Sequence, residues 1–274
     1  MASALMQQLE ETTLFIKNIY PGSLEAGIIL GSGLGNLVNE IAIEKEIGYE
    51  AIPHFPVSTV EGHSGKLLFG ELSGKKVVVM AGRFHFYEGY TAQQVAYPVR
   101  VMKMLGIHTL FVSNAAGGVN AGFKIGDLMI IKDHISFFTV NPLLGKNEAE
   151  IGTRFPDMSE PYSKALIAKA KAIGERLGYN LKEGVYTGVT GPTFETHAEY
   201  RLIKAIGGDA VGMSTVQEVI TAVHAGLKVF AVSVITDIGI REEENIITHE
   251  EVLAAAKEAE PKLTRLFKEM VGAI

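Results

Sequence analysis

The chain has 274 residues, of which 47% are hydrophobic and 20% charged, a composition typical of a folded enzyme. Its 25 basic and 31 acidic residues leave a net charge of −6, which argues against nucleic acid as a partner. The lack of cysteine excludes disulfides and thiolate metal sites, and with neither a signal pattern nor a membrane-length apolar run we expect a cytoplasmic protein without membrane contacts.

Helical and strand-like patterns alternate along the chain. The first helix has Leu5, Leu9, Thr13 and Ile16 on one face and ends before Pro21. Six strands are predicted: 26–30, 75–80, 109–113, 128–131, 210–213 and 229–235. Several of them are continuously apolar and β-branched, as strands buried on both faces are. The further predicted helices are 92–105, 163–177, 195–206, 215–225 and 249–271.

This alternation predicts an α/β fold in which helices cover a largely parallel sheet. Pro98 and Pro261 fall inside two predicted helices and could kink or split them. No repeat or linker divides the chain, and its length allows one large domain or two small ones. Ligands of such sheets bind beyond the carboxyl ends of the strands.

Polar or glycine-rich sequence follows five of the predicted strands, and the fold would bring these stretches together. They are residues 31–35 (GSGLG), 82–85 (GRFH), 113–118 (SNAAGG), 212–214 (GMS) and 236–237 (TD). The first does not have the dinucleotide-binding spacing and lacks the lysine of a P-loop. By itself it is either an oxyanion site, made of backbone N–H groups and the Ser32 hydroxyl, or a plain glycine turn.

Arg83 and His85 favour the oxyanion interpretation. A guanidinium forms bidentate hydrogen bonds with phosphate, and a residue two positions along an extended segment lies on the same side. With Ser32, Asn114, Ala115 and Ser214 at the other strand ends, they predict a phosphate site. His63, in the stretch GHSG, is either a further phosphate ligand or a turn histidine.

A phosphate site needs a second substrate beside it. Five side chains could form a wall for a sugar and a flat ring, although ordinary packing is the alternative for each: Tyr87, Tyr186, Phe194, Met213 and His249. Glu195 either complements the dipole of a helix's first turn or accepts N–H bonds from a heterocycle.

Five ordered motifs resemble those of the trimeric purine nucleoside phosphorylases over essentially the whole chain. They are residues 31–35 (GSGLG), 82–89 (GRFHFYEG), 113–118 (SNAAGG), 191–196 (GPTFET) and 213–216 (MSTV). The resemblance implies a single α/β domain with a central mixed, partly barrel-like sheet flanked by helices, assembled as a homotrimer. It also implies phosphorolysis, in which a purine nucleoside and phosphate give a free purine base and α-ribose 1-phosphate, with no metal or organic cofactor.

The same resemblance implies how the site is divided. Phosphate would be bound by Ser32, His63, Arg83, Phe84, His85, Asn114, Ala115 and Ser214. The purine would contact Ala115, Phe194, Glu195, Gly212, Thr236 and Asp237. The ribose would contact Tyr87, Tyr186, Met213 and His249. The catalytic residues would be His85, Glu195 and Asp237.

Two positions depart from the family pattern. The family usually has an asparagine where this chain has Asp237, and a phenylalanine that the neighbouring subunit contributes is replaced near Ile151. We expect Asp237 to be protonated and to donate to N7 of the base, with 6-oxopurine nucleosides preferred and adenosine a poor substrate. The alternatives are a methylthioadenosine phosphorylase or another 6-aminopurine-accepting phosphorylase, a nucleoside hydrolase, and a non-catalytic nucleotide-binding protein.

Overall fold

The computed structural model describes residues 3–32, 34–57, 59, 64–239 and 248–274. Within these residues, the strands are β1 Ala26–Ile29, β2 Ala42–Gly48, β3 Lys66–Leu72, β4 Lys75–Ala81, β5 Thr109–Gly118, β6 Leu128–Ile135, β7 Lys182–Gly188, β8 Ala210–Gly212 and β9 Lys228–Ile238. The helices are α1 Ala4–Ile19, α2 Ala92–Met104, α3 Lys164–Leu177, α4 His197–Ala205, α5 Val216–His224 and α6 His249–Gly272.

One mixed sheet joins all of these strands, in the order β2-β3-β4-β1-β5-β8-β7-β6-β9. An additional pairing of β5 with β9 closes β5, β8, β7, β6 and β9 into a ring. The pairs β1–β4, β1–β5, β5–β9, β6–β7 and β7–β8 are parallel, whereas β2–β3, β3–β4, β5–β8 and β6–β9 are antiparallel. The expected mixed, partly barrel-like sheet is therefore confirmed, with a smaller parallel share than the alternation of helices and strands had indicated.

The core lies between the sheet and its helices. Phe111 of β5, Phe230 of β9 and Phe267 of α6 form a cluster of three buried rings with centroids 5.9 to 6.3 Å apart. All three side chains are fully buried, and their aromatic packing holds α6 against β5 and β9, the two longest strands. Among the described helices, none combines the length and the hydropathy that crossing a bilayer requires.

Several boundaries differ from the sequence prediction. The prediction omitted β2, β3 and β7, and it ended β5 at residue 113 although that strand continues to Gly118. Pro98 and Pro261 lie inside continuous helices and split neither. The predicted helix 195–206 begins at His197 with Thr196 as its N-cap, so Glu195 precedes the helix and is not a first-turn acid.

Candidate active site

A cavity of about 530 Å³ opens where β5, β8 and β9 end, beside the segments that follow β1 and β4. Its lining comes from all five stretches that the sequence pattern placed together. The residues are Ser32, Thr59, Arg83, His85, Tyr87, Glu88, Asn114, Ala115, Ala116, Gly117, Pro192, Phe194, Glu195, Tyr200, Val211, Gly212, Met213, Ser214, Thr236, Asp237, His249 and Val252.

The segment after β1 lies directly against β5. A β-carbon at Gly31 would be 2.8 Å from both the Asn114 Cα and the Ser113 carbonyl oxygen, so only glycine permits this approach. The Gly31 N–H donates to the Ser113 hydroxyl at 3.2 Å. This contact brings the half-buried Ser32 to the cavity wall. Gly33 of the same motif lies outside the described residues.

Arg83 is buried at one end of the cavity, and only 1% of it is exposed. Its Nε and Nη2 each donate to Glu218 at 3.0 Å, while Nη1 donates to the Ser113 carbonyl at 2.6 Å and the Ser214 hydroxyl at 3.3 Å. The guanidinium edge formed by Nε and Nη2, which was expected to bind phosphate, therefore binds the carboxylate of Glu218. These contacts fix the cation in one orientation beside Ser214.

The start of α5 lies at the same end. Thr215, just before the helix, has φ of +70°, an unusual conformation for a residue with a branched side chain. Its hydroxyl accepts from the Asn114 side-chain amide at 2.8 Å and lies 3.2 Å from the Ser214 hydroxyl. The tight turn presents Ser214 and the positive end of the helix dipole to the cavity, a favourable surrounding for an anion.

His85 is held by an acid that the sequence analysis overlooked. Glu88 Oε1 accepts from the His85 backbone N–H at 2.7 Å and lies 3.1 Å from His85 Nδ1. Although burial opposes ionisation, hydrogen bonds from His85 and Thr59 lower the pKa of Glu88 to about 2. The His85 ring also stacks on Tyr87, with centroids 4.7 Å apart. The ionised Glu88 therefore fixes the direction of the imidazole toward the cavity.

Tyr87 forms part of the side wall between the two ends. Burial, and then the charge of Glu88, raises the pKa of Tyr87 to about 12, so its phenol remains a hydrogen-bond donor at neutral pH. Met213 and the partly exposed Phe194 provide apolar surface nearby, and His249 is the first residue of α6. A pentose and a flat ring could contact these groups together.

The opposite end of the cavity is acidic. Asp237 of β9 is 7% exposed and accepts from the Thr236 hydroxyl at 3.1 Å and from the Tyr200 hydroxyl at 3.3 Å. The Tyr200 hydroxyl also interacts with the Glu195 carboxylate. Burial is the main cause that raises the pKa of Glu195, and the charge of Asp237 adds to it. Two carboxylates thus line this end of the cavity, whereas the cation of Arg83 lies at the other.

Two predicted site residues do not line the cavity. Phe84 is buried in an aromatic cluster with Tyr49, Phe55 and Tyr90, on the opposite side of the chain from its neighbours. Tyr186 is fully buried, and its hydroxyl accepts from the Ser214 N–H at 3.3 Å. The side chain of Phe84 therefore cannot contact a ligand in this cavity, and Tyr186 supports the Ser214 turn from behind.

The other predicted residues that the structure describes line the cavity. His63 lies outside the described residues. Four contributors that the sequence analysis did not identify are Glu88, Tyr200, Thr215 and Glu218. For Glu88 a signal existed, since His85 and Glu88 have the i, i+3 spacing of a capping box. Among the described residues, no three His, Asp or Glu side chains are grouped as a metal site requires.

Known proteins resemble the chain along its whole length. A family model described as phosphorylase superfamily matches residues 25–272. Purine nucleoside phosphorylase 1 of Geobacillus stearothermophilus is 51% identical over 263 residues, which cover 96% of each chain. A Schistosoma purine nucleoside phosphorylase in complex with hypoxanthine superposes with a TM-score of 0.94 at 42% identity, over 100% of this chain and 99% of the other. The Schistosoma mansoni enzyme in complex with adenosine gives the same values.

Proposed function

The chain belongs to the purine nucleoside phosphorylases of the phosphorylase superfamily, and from this membership we propose that it prefers 6-oxopurine nucleosides to adenosine. The resemblance expected from its motifs is confirmed. It is a pentosyltransferase, which moves the pentose of a purine nucleoside from the base to phosphate. We further propose that residues 1–274 act as one domain, with phosphate as the co-substrate and without a metal or organic cofactor.

The opposite chemistry of the two cavity ends carries the proposal. One end has Arg83, His85, Ser214 and the start of α5, all suited to a phosphate. The other end has Glu195 and Asp237, suited to the N–H edge of a base. A pentose between them would contact Tyr87, Met213 and His249. We assign Ser32, Asn114 and Ala115 to the phosphate side, and Phe194, Gly212 and Thr236 to the base side.

In the proposed reaction, a phosphate oxygen bonds to C1′ while the bond from C1′ to N9 of the purine breaks. The electron pair of that bond passes to the purine, and the pentose carries positive charge in the transition state. The neighbouring phosphate anion stabilises this charge, and hydrogen bonds that strengthen as the base becomes anionic stabilise the leaving group. Asp237, when protonated, supplies a proton to N7 as general acid.

The base preference follows from the direction of the hydrogen bonds. An ionised Glu195 accepts from N1–H of hypoxanthine or guanine, whereas N1 of adenine is itself an acceptor and would be repelled. A protonated Asp237 donates to N7. Both carboxyl groups then match a 6-oxopurine, and the anionic base that departs is held by the same contacts.

The direct test is release of hypoxanthine from inosine with phosphate, and with sulfate as a matched anion control. Release that depends on phosphate supports phosphorolysis. Release that is as fast with sulfate as with phosphate would indicate a hydrolase. No release with either anion would indicate a binding protein. The base preference is tested by the ratio of kcat/KM for inosine to that for adenosine at neutral pH. If adenosine is cleaved better, the proposed preference is wrong.

We also propose a homotrimer, as the resemblance implies. The supporting observation is a patch of exposed apolar side chains after β6, in which Phe137 is 88% and Phe155 85% exposed, together with Phe138, Val140 and Leu144. Such a patch favours a protein interface over contact with water. Ile151, where the family phenylalanine is replaced, lies in the same region and does not line the cavity of its own chain.

A further inference from the structure

The hydroxyl of Tyr200 lies between the two carboxylates that would read the base. It donates to Asp237 Oδ2 at 3.3 Å and also interacts with Glu195. The phenol is 2% exposed and reaches the cavity from the first turn of α4. The mechanism above uses both acids and gives this hydroxyl no part.

The packing around Tyr200 fixes its position. Its ring belongs to a small buried cluster with Val119, Ile203 and Val211. A β-carbon at Gly117 would come within 3.0 Å of both the Tyr200 hydroxyl and Asp237 Oδ2, so the absence of a side chain there leaves room for their contact. The hydroxyl can rotate its proton, but the oxygen that carries it stays between the acids.

The contacts of the acidic end accommodate one additional proton. The Thr236 hydroxyl lies 3.3 Å from the Ala116 carbonyl and 3.1 Å from Asp237 Oδ1, and the Tyr200 hydroxyl faces Asp237 and Glu195. Each hydroxyl has a single proton to donate, so neither can donate to both of its oxygen neighbours at once. Two carboxyl groups in one buried site also resist being ionised together, and such a pair titrates as a unit.

We propose that Tyr200 is a positioning residue through which Glu195 and Asp237 share one proton, so that the same site can bind either a 6-oxopurine or a 6-aminopurine. In one arrangement Asp237 holds the proton for N7 and Glu195 accepts from N1–H, which suits hypoxanthine. In the other, Glu195 holds the proton for N1 and Asp237 accepts from the 6-amino group, which suits adenine. The hydrogen bond from Tyr200 to Asp237, at 3.3 Å, belongs to the second arrangement. The proposal rests on the phosphorylase function above.

The exchange between these arrangements conserves protons and charge. As the carboxyl proton of Asp237 passes to the Tyr200 oxygen, the phenol proton passes to Glu195, and the pair keeps one proton throughout. Burial, and then the charges of Asp237 and Glu195, raise the pKa of Tyr200, so the phenol never remains ionised. Among the described residues, the other titratable groups near this network are Glu199 on α4 and His249 on α6, and of these Glu199 acts on Glu195.

The hydrogen-bond geometry sets the direction of the expected effect. Tyr200 donates to Asp237, and this hydrogen bond favours the arrangement with an ionised Asp237, which accepts adenine. Loss of the phenol should therefore cost adenosine more than inosine. The Tyr200→Phe substitution should raise the ratio of kcat/KM for inosine to that for adenosine about tenfold, the effect of one hydrogen bond to a charged acceptor.

The experiment measures this ratio from pH 5 to 9 at saturating phosphate for the wild type and for the Tyr200→Phe variant. Tyr97→Phe is the matched control, because it removes another buried phenol, bonded to Thr12 at 2.7 Å, away from the cavity. In the wild type the two arrangements differ only in where one proton lies, so the ratio should be the same at every pH. Ionisation of phosphate affects both substrates equally and cancels.

Two results would overturn the proposal. The first is a wild-type ratio that changes tenfold or more with pH, because the two substrates would then use different numbers of protons. The second is a folded Tyr200→Phe variant whose ratio equals that of Tyr97→Phe. The first readout needs no variant, so it decides the matter even if Tyr200→Phe fails to fold. Failure of the phosphorylase function is distinguishable, since the wild type would then release no base from inosine with phosphate.

Discussion

The guanidinium of Arg83 and the carboxylate of Glu218 form a two-bond ion pair inside the protein. The Nε–Oε1 and Nη2–Oε2 distances are both 3.0 Å, and at most 3% of either side chain is exposed. A cation intended only to bind phosphate would not need such a partner. The pair shows that the charge of Arg83 is balanced within the protein before any substrate arrives.

Replacing Glu218 should therefore reduce stability more than activity at high phosphate. Glu218→Gln leaves a buried cation without a full counter-charge, and we expect unfolding to become easier by about 3 kcal/mol, the lower end for a broken buried pair. Phosphate should raise the melting temperature more in the variant than in the wild type, because it replaces the lost charge. Glu269→Gln, in a surface pair with Arg176, is the control and should change stability by less than about 1 kcal/mol.

Removing Arg83 should weaken the use of phosphate, in addition to the loss of stability that follows from breaking its buried pair with Glu218. We expect Arg83→Ala to raise the KM for phosphate roughly a hundredfold, the loss of about 2–3 kcal/mol from charge-assisted contacts. The KM for inosine should change far less. Steady-state kinetics with each substrate varied in turn provides the measurement, and the exposed Arg176→Ala serves as the control. A normal phosphate KM with normal turnover would remove Arg83 from the phosphate site.

Stability at acid pH should depend on Glu88. Its pKa in the folded protein is about 2, against an ordinary value of 4.5, so its ionised form favours folding above pH 4.5. This contribution is lost as the pH falls from 4.5 toward 2. Urea unfolding of Glu88→Gln across this window should show a flatter pH dependence than the wild type. The surface variant Glu10→Gln should keep the wild-type slope.

Asp237 should matter more for adenosine than for inosine. An amide in its place can still donate to N7, so we expect Asp237→Asn to retain inosine cleavage within a few fold. Adenosine cleavage should fall by about tenfold or more, since no proton remains to be shared with Glu195. The decline of inosine cleavage at alkaline pH should also become flatter. Unchanged pH profiles and an unchanged substrate ratio would mean that Asp237 is not at the base.

The patch of exposed apolar side chains after β6 should control assembly. Light scattering of the wild type should give about three times the 29.6 kDa of one chain. Phe137→Glu places a charge in the patch and should shift the mass toward the monomer. Leu14→Glu changes a side chain that is also exposed, on α1, and should leave the assembly unchanged. A wild-type monomer or hexamer would contradict the proposed homotrimer.

The sequence predicted six of the strands and the polar residues near their ends, because hydrophobic runs and the polar residues that follow are both local patterns. It did not predict β2, whose side chains are exposed along most of the strand and therefore show no apolar run. Within the site, Arg83 and Glu195 were found from their motifs. Their partners Glu218 and Tyr200 were not, because each lies on a helix and contacts the site only through the fold.

The pairing of β5 with its two parallel neighbours has a consequence for how the protein folds. Ala26 pairs with Thr109, and Thr109 pairs with Lys228, so the middle of the sheet joins segments that are far apart in the chain. Contacts between such distant segments are slow to form, since the chain loses the entropy of closing a long loop before the hydrogen bonds between the strands can form. The five stretches of the cavity meet only when these strands have joined. Recovery of catalysis after dilution from denaturant should therefore follow completion of the central sheet and not the earlier appearance of helices.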